Sequence, residues 1–452
     1  MKPLFARIKK LFTEDPILTR VLKNTSYLFS ATSLSLLLSM IQSIFAARLL
    51  GVAAFGLVGI VTSFVSTVNR IFSFRMGEFI VRYLGKDLTE DNQVKAGAVV
   101  KVALITEGLT SLVAFLILLL LAPLGAKYIA KDVQALPLIQ LFAFSILAQM
   151  FYETSLGILQ ITNHFRSQAA LNLIQSLLTT LLILIAFFVK GNILFVLGAY
   201  LAGKALLGIG TTVLAFYHLP RHLNPGWRKV PLSVLPPFKE LAQFSLSTNL
   251  SGTVKMAASE SEPLWVGFFL DQQAVGLYKL ALAIVNPLMM PITPFITTTF
   301  PEMTRSIVSR MWEQLRRLIK RVTLISASWT LLVLLVMILF GRQLIELFYG
   351  VDFVPAYPAM IILLLGFGFA NIFFWNRSLL LSFGKANIPL YVLAGTAILK
   401  IALSFWLIPQ WGIIGAASLL SGYLILSTGI LVMIGMRHIR QSEMTIFTME
   451  EK

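Results

Sequence analysis

The stretch "LGVAAFGL" (residues 50–57) returns as "LDQQAVGL" (270–277), an offset of about 220 residues. Working outward from that pair, nearly the same offset sets Pro137 on Pro358, Asn163 on Gly384 and Gly191 on Gly412. Each match is weak alone, but their common spacing implies two related halves. The Pro-rich stretch "HLPRHLNPGWRKVPLSVLPPFKE" joins them.

Both halves are too apolar for a soluble domain. The 452 residues are 57% hydrophobic and 13% charged, with mean hydropathy +0.83, where soluble domains carry about a quarter charged residues. Cysteine is absent, which excludes a disulfide framework and a thiolate metal site. Since ~20 apolar residues cross the hydrocarbon, about twelve spanning helices can be drawn. Those of the first half are 27–50, 53–74, 97–121, 136–156, 169–189 and 193–217. Those of the second are 241–270, 275–299, 318–340, 358–380, 388–408 and 412–436. The expected fold is an all-α integral membrane protein of two pseudo-symmetric six-helix lobes, 25–217 and 241–436. Flanking them are an interfacial N-terminal segment (1–24), a cytoplasmic linker (218–240) and a cytoplasmic tail (437–452). Six helices per half give both halves one orientation, the geometry of a parallel-repeat transporter.

The net charge of +17 is distributed by topology. Cations crowd alternate connectors, such as those holding Arg75, Arg82, Lys86 and Lys95, or Arg305, Arg310, Arg316 and Arg317, while the intervening ones hold few. The positive-inside rule then places both termini in the cytoplasm, and nucleic-acid binding loses its support. "MKPLFARIKKLF" is basic and amphipathic. So are "FRMGEFIVRYLGKDL" and "PEMTRSIVSRMWEQLRRLIK", and all three are expected along the inner-leaflet surface.

The seventh apolar segment contains "NLSGTVKMAASESEPLWVGFFL" (249–270), with Lys255, Glu260, Glu262 and Pro263 in its middle. A charge at bilayer depth costs at least ~2.5–3.5 kcal/mol, so such residues face a partner or a hydrated cavity. Lys255 and Glu262 are two turns apart on one face of a continuous helix, and Pro263 should kink that helix. Either they line a moving cavity wall, or they form an internal salt bridge. Lys204 and Lys400 lie mid-segment, while Arg48, Arg70, Lys101 and Lys279 lie nearer segment ends, where cations can snorkel. Deep acids are fewer: Glu107, Glu260 and Glu262. A surplus of buried positive charge suits an anionic cargo.

Catalytic patterns are poor. His218 and His222 flank Pro220 without a carboxylate nearby, and no HExxH, Walker A or GxSxG motif is present. The expectation is a non-enzyme without cofactor or metal. With no nucleotide site, an ion gradient, the membrane potential or cargo consumption supplies direction.

"FAARLLGVAAFGLVGI" followed by "MGEFIVRYLGKDL" resembles the opening of the Wzx-like polysaccharide flippases of the multidrug/oligosaccharidyl-lipid/polysaccharide (MOP) exporter superfamily. "SEPLWVGFFLDQQAVGLYKLALAI", "GRQLIELFYGVDFVPAYPAMIILLLG", "LLLSFGKANIPL" and "IPQWGIIGAASLLSGY" resemble its later helices, so the likeness covers nearly the whole chain. It implies a V-shaped, MATE-like pair of lobes with alternating access to a cationic cavity. The implied cargo is a polyprenyl-diphosphate-linked oligosaccharide (undecaprenyl diphosphate or similar), moved to the outer leaflet of the cytoplasmic membrane for surface polysaccharide or lipopolysaccharide synthesis. Arg48 matches the arginine of the family's "ARxLG" signature. Glu262 matches its acidic helix 7 position, where Asp is commoner, and Arg70 is a looser match at the end of helix 2. Lys204, Lys255 and Lys279 rest on the charge argument alone. The expected cargo-binding residues are thus Arg48, Arg70, Lys204, Lys255 and Lys279, with Glu260, Glu262 and Pro263 in coupling or gating. Expected partners are the lipid-linked glycan, membrane lipid and H+ or Na+ as coupling ion, with a monomer as the working unit.

Two rivals remain. A MATE-type drug/cation antiporter would carry an acidic residue and a proline in its first helix, which "YLFSATSLSLLLSMIQSIFA" lacks. A membrane enzyme acting on lipid-linked sugars would need candidate carboxylates and large outward loops.

Overall fold

In the computed structural model, residues 16–450 are described except 91, 222, 224, 225, 236, 290, 291 and 386. Several helical side chains, those of residues 16–29 and Lys255 among them, also lie outside the description. The predicted N-terminal surface helix falls largely on residues 1–15, outside the described residues.

The apolar segments form helices because only a helix satisfies every backbone polar group within one span. They are α1 (Pro16–Phe72), α2 (Gln93–Leu124), α3 (Ala135–Ala148), α4 (Tyr152–Ile161), α5 (Phe165–Phe188) and α6 (Ile193–His218). There follow α7 (Phe238–Ser259), α8 (Glu262–Phe269), α9 (Gln272–Met289), α10 (Thr293–Val308) and α11 (Trp312–Tyr349). The last are α12 (Tyr357–Ile372), α13 (Asn376–Ser382) and α14 (Asn387–Glu450).

Eight stretches among the described residues are long and apolar enough to cross a membrane. They reconcile with twelve crossings. α1 and α14 are each two helices turned sharply at Gly51 (φ 71) and Gly412 (φ 57). α7–α8 and α9–α10 are two further crossings, each broken into pieces.

The two halves repeat in their backbone as well as their sequence. Left-handed residues pair at nearly the common offset: Lys131 (φ 53) with Gly350 (φ 108), Asn163 (φ 59) with Gly384 (φ 72), and Lys190 (φ 52) with Gly412 (φ 57). A helix commonly ends on a residue in this conformation. The halves therefore share their helix ends.

The chain packs as two compact units. One comprises 1–42, 65–122 and 137–253; the other comprises 43–64, 123–136 and 254–452. The second unit thus takes in two hairpin tips from the first half of the chain, around Gly51 and around Lys131.

Two of the basic connectors turn apolar side chains into the protein core. "FRMGEFIVRYLGKDL" forms a short helical run (Gly77–Phe79, Ile80–Leu84, Gly85–Thr89), and most of its apolar face is turned into protein. Phe79, Ile80, Tyr83 and Leu84 are buried in the first unit's core with Val99, Ile158 and Leu219. "PEMTRSIVSRMWEQLRRLIK" is the end of α10, a tight turn at Arg310 (φ 56) and the start of α11. Met303, Leu315 and Ile319 are buried against Trp375, Leu379 and Ile439. In both, protein core offers the apolar face a tighter partner than the headgroup boundary.

Candidate functional site

In the first unit, charge gathers where the crossing α3–α4 breaks. The break leaves the first N–H groups of α4 without helical acceptors, and the Glu107 carboxylate of α2 supplies them. Its Oε1 accepts from Glu153 N–H at 3.0 Å and its Oε2 from Thr154 N–H at 2.9 Å, with Glu107 only 3% exposed. An acid at a helix N-terminus also meets the positive end of the helix dipole. Glu107 is thereby committed to backbone amides.

The Glu153 side chain instead faces Arg75, with Nη1 to Oε1 at 3.3 Å. Arg75 follows α1, and its backbone is fixed from α7. Asn249 accepts the Arg75 N–H on Oδ1 at 2.8 Å and donates from Nδ2 to the Arg75 carbonyl at 3.3 Å. Thr253 Oγ1, one turn on, donates to the Arg70 carbonyl at 3.4 Å. Arg70 itself is half-buried in the last turn of the first α1 hairpin.

Lys204 is half-buried midway along α6, and the Arg75 guanidinium acts on its charge. α6 approaches α5 closely here: a Cβ on Gly203 would lie 2.1 Å from Thr179 Oγ1. Arg75 thus stands between an acid, Glu153, and a second cation, Lys204, whose charge it opposes. The reading from sequence counted Arg75 among the connector cations and missed its place beside Lys204.

In the second unit, Glu262 and Lys400 are an ion pair. The Lys400 ammonium donates to Glu262 Oε1, with side chains 3% and 1% exposed respectively. Tyr278 O–H donates to Oε2 at 3.4 Å, and Lys400 lies 5.9 Å from the Tyr423 ring centre. Satisfaction on several sides is what a buried charge requires.

Two expectations about this segment are corrected. Pro263 does not kink a continuous helix: the helix breaks at Glu260–Ser261, and Pro263 occupies the first turn of α8, where its missing N–H costs nothing. The break also ends the shared-face argument for Lys255 and Glu262. Glu262 meets Lys400, Glu260 is exposed at the break, and the Lys255 side chain lies outside the described residues.

Two further predicted cations lie in the same unit, Arg48 at the Gly51 hairpin tip and Lys279 on α9. Arg48 donates from Nε to the Phe348 carbonyl at 2.7 Å and from Nη2 to that of Leu347, capping the end of α11. Lys279 of α9 lies 4.7 Å from the Phe55 ring centre. Lys131 donates to the Leu270 carbonyl, and Gln272 Nε2 to that of Ala130 at 2.9 Å. So Arg70 and Lys204 fall in one unit, and Arg48 and Lys279 in the other. His218 stacks on His164 with ring centres 3.6 Å apart; His222 lies outside the described residues.

A repeated six-crossing bundle with charges buried within apolar helices defines a multi-pass membrane protein. The family model described as polysaccharide biosynthesis protein matches residues 21–307, and the MatE model matches 262–406. The chain belongs to the polysaccharide biosynthesis protein family.

A curated relative, the inner membrane protein YghQ of Escherichia coli (strain K12), is 23% identical over 353 residues, 77% of this chain and 98% of its own. An inward-facing multidrug resistance MATE family transporter of the MOP superfamily superposes with a TM-score of 0.68 at 16% identity, covering 91% of this chain and 96% of that one. The lipid II flippase MurJ gives 0.65 at 16% identity, covering 90% and 87%. A MOP superfamily transporter from Pyrococcus furiosus gives 0.65 at 14% identity, covering 93% and 95%.

Proposed function

We propose that the protein moves a polyprenyl-diphosphate-linked oligosaccharide from the inner to the outer leaflet of the cytoplasmic membrane, for surface polysaccharide synthesis. The observation that carries this reading is the first unit's surplus of cations: Arg75 is paired with Glu153 and acts on Lys204, while Glu107 is bound to backbone amides. A diphosphate entering a low-dielectric path needs its charge neutralised within hydrogen-bonding distance. Arginine can do so with two parallel N–H donors and lysine as a point charge. Arg70, Lys255, Lys279 and Arg48 are further proposed cargo contacts, each within its own unit, and the lobes 25–217 and 241–436 are the proposed moving bodies.

Both termini are cytoplasmic in this reading, the monomer is the working unit, and the protein changes no covalent bond. An inside-negative potential favours outward movement of an anion by ~2.3 kcal/mol per charge per 100 mV. That contribution adds to whatever H+ or Na+ coupling passes through Glu262 or Glu260.

The test is translocation in proteoliposomes of a fluorescent polyprenyl-diphosphate oligosaccharide, scored by its accessibility to an impermeant quencher. Wild type moves it, and Arg75→Gln and Lys204→Gln do not. If wild type leaves every such lipid in place but exchanges an organic cation for protons, the antiporter reading replaces this one.

A further inference from the structure

The offset that sets "LGVAAFGL" on "LDQQAVGL" also sets Gln42 on Glu262 and Thr180 on Lys400. Both pairs are in contact, each within its own unit. In the first, Gln42 Nε2 donates to Thr180 Oγ1 and to the Ser176 carbonyl, each at 3.0 Å, and fastens the first arm of α1 to α5. In the second, the Lys400 ammonium donates to Glu262 Oε1 and fastens α8 to α14. All four residues are buried: Gln42 and Thr180 are 5% and 7% exposed, Glu262 and Lys400 1% and 4%. The repeat thus keeps one polar fastener per half, in the same place, and changes its chemistry.

The change matters for protons. A carboxamide and a hydroxyl neither gain nor lose a proton near neutral pH, so the Gln42–Thr180 fastener stays closed. A carboxylate can gain one. A proton taken from water by Glu262 makes a neutral carboxyl, and the buried Lys400 ammonium is left without its counter-ion. α8 is then released from α14, and loss of the proton restores the pair. α8 can respond because it is a separate piece, divided from α7 at Glu260–Ser261. A hard metal cation needs several oxygen ligands, whereas Lys400 already occupies Oε1 and the Tyr278 hydroxyl Oε2.

The neighbouring charged and titratable groups are engaged elsewhere. Tyr423 of α14 presents its ring to Lys400, and Lys279 of α9 lies over Phe55. Residues 125–130 meet α8 where Ile129 packs on Gly267, and there Lys127 lies over Tyr128. Glu260 is exposed.

We propose that Glu262 and Lys400 are the transporter's proton-exchanging pair, and that the neutral Gln42–Thr180 fastener keeps the first unit out of proton coupling. This rests on the transport reading above, though not on the identity of the cargo.

Two measurements on the full chain test it. In proteoliposomes that move the fluorescent polyprenyl-diphosphate oligosaccharide, one proton exchanged per cycle shifts the steady leaflet ratio about tenfold per unit of imposed pH gradient. Glu262→Gln/Lys400→Met, neutral at both positions, loses that response. Gln42→Ala loosens the other fastener, lowers the melting temperature and keeps the response. Infrared difference spectra of cargo-free protein on acidification show a protonated-carboxyl band in wild type that the double variant lacks. If wild type moves no lipid yet shows this band, the cargo is wrong and the proton-exchanging pair stands. A wild-type leaflet ratio indifferent to the gradient, a double variant that still responds, or a band that the double variant retains overturns the proposal.

Discussion

Gly56 and Gly276, equivalent positions of the repeated motif, meet backbone against backbone. A Cβ on Gly56 would lie 1.8 Å from the Gln272 carbonyl oxygen, and one on Gly276 would lie 2.1 Å from that of Val52. The contact is reciprocal, as expected where a pseudo-two-fold axis passes between related helices. Small residues at membrane helix crossings allow this approach, and dispersion then holds the pair. The crossing joins the Gly51 hairpin tip to α9 within the second unit.

Alanine at either position therefore strikes backbone. Gly56→Ala or Gly276→Ala should destabilise by about 1–3 kcal/mol, the usual range for overpacking. Gly198→Ala is the control, since nothing lies within 4 Å of its Cβ position. It should leave the melting temperature unchanged or raise it, alanine being the better helix former by ~1 kcal/mol. Thermal unfolding of the three purified variants separates these outcomes.

The pair of Glu262 and Lys400 should act as a unit. Lys400→Met or Glu262→Gln alone leaves a buried partner uncompensated, a loss of about 3–5 kcal/mol. The double variant should recover most of that, because no charge is then stranded. A double-mutant cycle on melting temperature shows the coupling; additive losses would refute it.

Glu107 should matter through the two N–H groups it accepts. Glu107→Leu leaves both buried without partners, each costing about 1–3 kcal/mol. Amide hydrogen exchange should accelerate at Glu153 and Thr154 ahead of the rest of α4. Uniform exchange along the helix would show that the cap does not hold its start.

The repeat makes a prediction where the halves differ. Lys190 is exposed at a positive φ of 52°, near where the second half carries Gly412 (φ 57). Lys190→Gly should therefore stabilise by up to about 1 kcal/mol, relieving the crowding an L side chain meets there. A lowered melting temperature would contradict this.

Much of this fold is legible in the sequence, for physical reasons. Hydropathy reports spans because lipid imposes one length on every crossing, and Asn163/Gly384 reports the repeat because both end a helix in the same conformation. The helix breaks are less visible. Pro263 marks one but fits a kink as well as a first turn, and the choice rests on backbone geometry around Ser261. The site is harder still. Glu262 advertises its need for a partner, yet Lys400 lies 138 residues away, and nothing local selects it over Lys255. Arg75 sits just beyond an apolar run, where charge counting reads topology and cannot see Lys204 beside it. Arg48 reads as a cargo ligand by charge, and nothing local to it in sequence foretells its hydrogen bonds to the Phe348 and Leu347 carbonyls 300 and 299 residues away.

The central claim is that Arg75 and Lys204 receive an anionic headgroup. It is tested most directly by equilibrium binding of a polyprenyl-diphosphate oligosaccharide to wild type, Arg75→Gln and Lys204→Gln in detergent, at two salt concentrations. Loss of a charge-assisted hydrogen bond worth about 1.5–3 kcal/mol predicts a weakening of roughly ten- to a hundredfold in each variant, with a shallower salt dependence. Affinity unchanged in both variants, at wild-type melting temperature, would contradict the account.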